Sequence, residues 1–197
     1  LSIEERIEVI APHPLATLKF DNVRIPVTNR LGKPGEGWKI AKRLLQHERA
    51  NISAHVQSGA GGTPGGTSLA GYAKRHWGEA GGRIADPHLR ERVARHEMKS
   101  EAIQLTLRRV AEESGKHGPS ATSSITKSLG AQHNKDKFEL MLEIGGQSAL
   151  GWEGAPFTAE ELEICHQWLR SKGNSIEGGT SEIQANIVAK QVLGLPD

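Results

Sequence analysis

From Trp38 to the end of the chain, apolar residues recur every three or four positions in runs that glycine and proline repeatedly cut. That period belongs to amphipathic helices, and it leaves little room for any other regular structure. Trp38, Ala41, Leu45, Ile52 and Val56 form one stripe, with Glu48 inside it. A second helix is predicted over residues 69–77. Asp86-Pro87 supplies an N-cap and a first-turn proline for a long helix whose Leu89, Val93, Ile103, Leu107 and Val110 face inward, stopping near Gly115. Pro119 opens the next helix, with Ile125, Leu129, Leu140 and Ile144 as its core face, and Gly145-Gly146 ends it. Thr158 and Glu161 form a capping box for a helix to about Arg170, and a last helix runs from Ser181 to Gly194, with Pro196 just beyond. The predicted fold is all-α, an up-and-down helical bundle. Its β component is confined to residues 17–26, where Leu18, Phe20, Val23 and Ile25 alternate around an Asp21-Asn22 turn. The expected organisation is a short N-terminal segment, 1–34, followed by the bundle, 35–197.

The 197 residues suffice for one ordinary domain, and a formal charge of +2 spread over interleaved acids and bases argues against nucleic-acid or membrane partners. No apolar run approaches the roughly 18 residues of a membrane span. Cys165, the single cysteine, excludes an internal disulfide framework and a cysteine-based metal site, and a reducing compartment such as the cytoplasm fits. The chain opens on Leu1 rather than methionine, and a processed or truncated product is expected.

The last quarter concentrates the chemistry. Gly178-Gly179 ends a turn, Thr180 and Ser181 follow, and Ser181 with Gln184 fits a capping box. The start of such a helix offers unpaired N–H groups and a positive dipole end, although a plain cap needs no ligand. Glu48 stands out for a different reason. A carboxylate among apolar neighbours costs free energy unless it is paired or protonated, and burial moves a carboxyl group toward the range of a general base. An ion pair with Arg49 or with a lysine of another helix is the alternative. The glycine-rich stretch 59–66 lacks the lysine of a phosphate-binding loop, and Pro64 breaks a dinucleotide fingerprint, so it reads as a linker. The histidines, His47, His88, His96 and His133 among them, form no ligand spacing and are expected mostly on the solvated surface. Cys165 lies at helical spacing from Leu162 and Leu169 and is expected to be a small core residue.

Taken as a string, Gly-Gly-Thr-Ser-Glu-Ile-Gln at 178–184 resembles the C-terminal signature of acyl-CoA dehydrogenases. The segment from Phe20 to Pro26, then Gly35-Glu36-Gly37-Trp38 and Glu48-Arg49, is similar to the end of that family's middle β domain leading into its C-terminal bundle. On this resemblance, 1–34 is the remnant of the β domain, and the chain is the C-terminal part of a larger FAD-dependent enzyme. The implied activity is α,β-dehydrogenation of an acyl-CoA thioester, with electrons passed to an external acceptor. A homo-oligomer, dimer or tetramer, is implied as well. Some members place the catalytic glutamate just before Gly-Thr in the terminal signature, where this chain carries Gly178. Others place it on the first bundle helix before an arginine, which makes Glu48 the base and Arg49 a contact for the coenzyme A portion. Gly179, Thr180 and Glu182 match FAD contacts. Lys74, Arg75 and Trp77 correspond to an Arg-x-Gln-Phe-Gly motif that serves a neighbouring subunit's flavin, with lysine in place of arginine. Gly145-Gly146 matches a further flavin motif whose usual glutamine is here Leu142. A catalytically silent subunit of a mixed oligomer, or a bundle that only binds other proteins, is the rival reading.

Overall fold

The computed structural model describes residues 2–7, 15–57, 66–117 and 123–196, with the backbone alone described at 2–7, 15–16, 46, 49–57, 114, 116–117 and 123. It divides into two compact units, Leu1–His47 and Glu48–Asp197, a division that falls thirteen residues beyond the sequence-based boundary at 35 and inside a helix.

In the first unit, strands β1 (Ser2–Ile7) and β2 (Leu15–Lys19) pair antiparallel, with a register shift between Ile3 and Glu5. The strand expected over 17–26 therefore stops early. Asn22 turns the chain at φ 48°, and a short 3-10 turn at Val27–Asn29 follows. β1 itself had no readable period, because its central Glu-Glu-Arg carries no apolar alternation. Helix α1 (Gly37–Gln57) begins where expected and crosses into the second unit.

The second unit is a helical bundle. Helix α2 (Leu69–Trp77) is capped by Ser68, whose hydroxyl accepts from the Gly71 N–H at 3.0 Å, and Gly78 ends it at φ 84°. A two-residue hairpin of β3 (Glu79–Ala80) and β4 (Arg83–Ile84) turns on Gly81-Gly82, both at positive φ as a tight hairpin requires. Helix α3 (Pro87–His117) starts on the predicted cap, with the Asp86 carboxylate accepting from Leu89 N–H at 2.6 Å. Helix α4 (Ser123–Gly145) is the hub, packing against α2, α3, α5 (Ala159–Gly173) and α6 (Ser181–Ile187). The Thr158–Glu161 capping box is present at the start of α5.

Apolar side chains from these elements make one core: Leu69, Tyr72 and Ala73 of α2, Ile84 of β4, Leu89 and Val93 of α3, Phe138, Met141 and Ile144 of α4, and Ile164 of α5. Leu129 departs from the expected core face of α4 and is exposed. Its half of the helix buries Ser124, Thr126, Lys127 and Ala131 instead. A helix enclosed on several sides needs no single apolar stripe, which is why the period misplaced this half. Helix α6 is shorter than expected. A π turn at Val188–Val192 continues it, and Gly194 at φ 65° terminates the run. Among the described residues, no helix is long and apolar enough to cross a membrane.

Candidate functional site

The terminal turn assembles around its glycines. Gly178 and Gly179 take φ 66° and 99°, values costly for any residue with a Cβ, and a Cβ on Gly179 would stand 2.7 Å from the Gln184 amide nitrogen. The capping residue is Thr180, not Ser181: its hydroxyl accepts from Ile183 N–H at 3.4 Å, leaving Ser181 as the first helical residue. Gln184 is consequently one position too late to close a capping box. It is fully buried, and its amide donates to the carbonyls of Gly178 at 3.0 Å and Gly179 at 3.4 Å. The Glu182 carboxylate accepts from its own backbone N–H and from the Thr180 hydroxyl, which holds it below the usual carboxylate range.

One carboxylate beside this turn is occupied. Glu177 receives Arg170 at 2.9 and 3.4 Å and Asn174 at 2.5 Å, so both of its oxygens have donors. Beneath the turn lies Lys127, which sequence reasoning passed over. It is 2% exposed, and its ammonium donates to the Gly179 carbonyl at 2.7 Å. Burial pushes its pKa down.

A second cluster forms where α2 and α4 end. The Trp77 indole N–H donates to the Ile144 carbonyl at 2.9 Å, which brings the 74–77 motif against Gly145-Gly146. A Cβ on Gly145 would stand 2.6 Å from the Tyr72 hydroxyl, so only glycine admits that tyrosine. The hydroxyl is buried without a partner among the described residues, and burial, with Glu160 and Glu161 nearby, raises its pKa to about 12. Gly146 adopts φ 56°. Lys74 reaches the Gly82 carbonyl at 2.7 Å and Glu79 at 3.3 Å, while Arg75 pairs with Glu160 at 2.5 Å. Both cations of the motif are thus neutralised within the chain.

These two clusters occupy opposite ends of α4. Lys127 and Gly145 are 18 residues apart, roughly 27 Å along a helix. A dinucleotide bound at the terminal turn finds glycines at positive φ, a hydroxyl and outward N–H groups; at the other end it finds glycines but cations already paired.

Glu48 is exposed on α1, and two residues of the stripe expected to bury it are exposed as well: Leu45 at 41% and Trp38 at 70%. The greasy setting expected for this carboxylate is not formed by the described residues of this chain. The side chains of Arg49, Ile52 and Val56 lie outside the described residues, as does the glycine-rich stretch 59–65. Cys165 is half-buried, and burial raises its pKa.

His47 and His88 are exposed, as expected, whereas His96 and His133 are half-buried. His96 of α3 and His133 of α4 pack with ring centroids 3.9 Å apart and planes tilted by 48°, and burial pushes His133 down to about 4. Spacing in the sequence could not reveal this pair, because the two rings come from different helices. Among the described residues, no group of acidic, histidine or cysteine side chains is arranged to hold a metal.

Residues 35–193 match the family model for the C-terminal domain of acyl-CoA dehydrogenases. Among curated proteins, the chain is 29% identical over 182 residues to the acyl-CoA dehydrogenase IpdE1 of Mycolicibacterium smegmatis, covering 90% of this chain and 41% of that protein. Among solved structures, the Tcur3481-Tcur3483 steroid ACAD, as its G363A variant, aligns over 98% of this chain and 49% of that one, with TM-score 0.80 and 22% identity. The ChsE4-ChsE5 complex from Mycobacterium tuberculosis aligns over 98% and 50%, with TM-score 0.71 and 24% identity. At those identities the structural likeness establishes the fold. The chain spans less than half the length of the curated relative.

Proposed function

Because the chain belongs to the acyl-CoA dehydrogenase family, through its C-terminal domain, we propose that it is the C-terminal part of an FAD-dependent enzyme that removes the α and β hydrogens of an acyl-CoA thioester. Glu48 is the base that takes the α proton, and Arg49 beside it contacts the coenzyme A portion. FAD, when bound, supplies the acceptor for the hydride that leaves the β carbon, and an external acceptor later takes the electrons. Gly179, Thr180 and Glu182 hold one flavin nucleotide. Lys74, Arg75, Trp77, Gly145 and Gly146 face another, in a homo-oligomer.

The observation that carries this reading is the state of the carboxylates. Gly178 offers no base at the turn, and Glu177 has both oxygens engaged by Arg170 and Asn174. Glu182 is tied to its own helix cap. Glu48 enters none of the hydrogen bonds or ion pairs of the described residues, which leaves it available. Its environment in the enzyme must then be completed by chain beyond these 197 residues or by the bound thioester. A general base contributes roughly 10²- to 10⁴-fold to a rate. In the full-length protein, Glu48→Gln is expected to retain its flavin and to slow substrate-driven flavin bleaching by about that factor. Bleaching at the wild-type rate excludes Glu48.

One observation favours a second reading. Lys74 stands where arginine is usual, and both cations of that motif are spent on Glu79 and Glu160. A silent subunit in a mixed oligomer would have this appearance. A yellow homo-oligomer supports the enzyme; a colourless chain that co-purifies with a yellow homologue supports the silent partner.

A further inference from the structure

Two buried donors converge on consecutive peptides of the terminal turn. Gln184 binds the Gly178 carbonyl at 3.0 Å, and Lys127 binds the Gly179 carbonyl at 2.7 Å. In a trans peptide the C=O and the following N–H point in opposite directions. Drawing these two carbonyls inward therefore turns the N–H groups of Gly179 and Thr180 outward, and neither has an acceptor among the described residues. Lys127 comes from α4 and Gln184 from α6, so the turn is clamped from two elements. The lysine's position is costly. Lys127 is 2% exposed and its ammonium donates to a carbonyl, while the Glu177 and Glu182 carboxylates act on it without a direct ion pair among the described residues. A buried ammonium answered by one carbonyl is a poor way to stabilise a fold, since an apolar residue of the same length would avoid the desolvation. What the ammonium does is local: as a charged donor it holds a glycine carbonyl that has no side chain to restrain it.

We propose that Lys127 is a positioning residue for the flavin-contacting turn, fixing the Gly179 peptide so that the Gly179 and Thr180 N–H groups are presented to the nucleotide. The flavin part of this statement rests on the reading above; the clamp itself does not.

The experiment measures amide hydrogen exchange in the full-length holoprotein, for the wild type and for Lys127→Met. Removing the clamp is expected to speed exchange of the Ser181, Ile183 and Gln184 amides about tenfold or more, because a hydrogen bond from a charged group is lost. Amides of 138–144, in the apolar half of α4, are expected to keep their rates. FAD is expected to dissociate more readily, with a dissociation constant raised about tenfold and an altered visible circular dichroism of the bound flavin. Unchanged exchange at 181–184 overturns the clamp. Faster exchange there with an unchanged flavin dissociation constant and spectrum overturns the positioning role. Should both helix regions loosen together, Lys127→Cys in a Cys165→Ala background, alkylated with 2-bromoethylamine to restore the ammonium, decides. Recovery of slow exchange supports the clamp, and no recovery overturns it. A colourless wild-type protein defeats the flavin reading alone, since the exchange result still decides what Lys127 does to the turn.

Discussion

At its C-terminal end α4 places Phe138, Met141 and Ile144 in one apolar cluster with Leu69 and Tyr72 of α2, whereas at its N-terminal end the buried positions are Ser124, Thr126 and Lys127. The apolar end draws its stability from area removed from water and from close packing. The polar end buries groups that call for hydrogen bonds: Lys127 donates to the terminal turn, beside Gln184 of α6, whose amide nitrogen does the same while its oxygen has no partner among the described residues. The two ends also treat charge differently. Arg75 and Lys74 are paired with Glu160 and Glu79 at one end, while the buried ammonium at the other faces a carbonyl. A single helix thus divides its work, with one end anchoring the bundle and the other setting a backbone conformation.

The largest effect expected from this division is at the anchoring end. Phe138 is fully buried, and Phe138→Ala should cost about 3–5 kcal/mol in urea unfolding. A loss below about 1 kcal/mol would show that the apolar end is not the anchor. Acid probes the middle of the helix. His96 and His133 have lowered pKa values, His133 at about 4, with burial as the first cause. Glu97, Asp136, Lys99 and Lys137 are the charged groups around them. Between the unfolded histidine value, about 6.5, and about 4, the unfolded chain binds a proton that the folded chain refuses. Stability is therefore full above pH 6.5 and is lost as the pH falls toward 4, by about 1–3 kcal/mol. His133→Leu should flatten that part of a stability-versus-pH curve; an unchanged slope would separate the pair from the acid response. A smaller effect is expected from Trp77→Phe, which deletes the donor to the Ile144 carbonyl and should cost about 1 kcal/mol. It sharpens the contrast if thermal unfolding shifts while exchange at 181–184 stays as it was.

The same contrast explains what could be read in advance. The starts of α2, α3 and α5 were legible to the residue, helped in α3 and α5 by the local caps Asp86 and Thr158, while α3 and α5 run two to three residues past their expected ends. The terminal cap was misplaced by one position. Thr180 and Ser181 have the same chemistry, and only the positive φ values of Gly178 and Gly179 decide which of them closes the helix. The motif residues of the candidate site were found as a string, yet nothing in that string said that 74–77 would meet 145–146 through Trp77 and Ile144, or that Glu177 would be taken by Arg170. Lys127 was missed because a lysine among serine, threonine and glycine looks like a solvated position until a second helix covers it.

By itself the sequence determined the helical class, most helix limits and the membership of a family, since each depends on residues close in the chain or on a short fixed motif. Which hydroxyl caps the last helix, which donors take up Glu177 and which lysine is drawn under the glycine turn were decided only in three dimensions. Those outcomes depend on desolvation and on partners brought together from distant segments, and neither quantity exists until the helices pack.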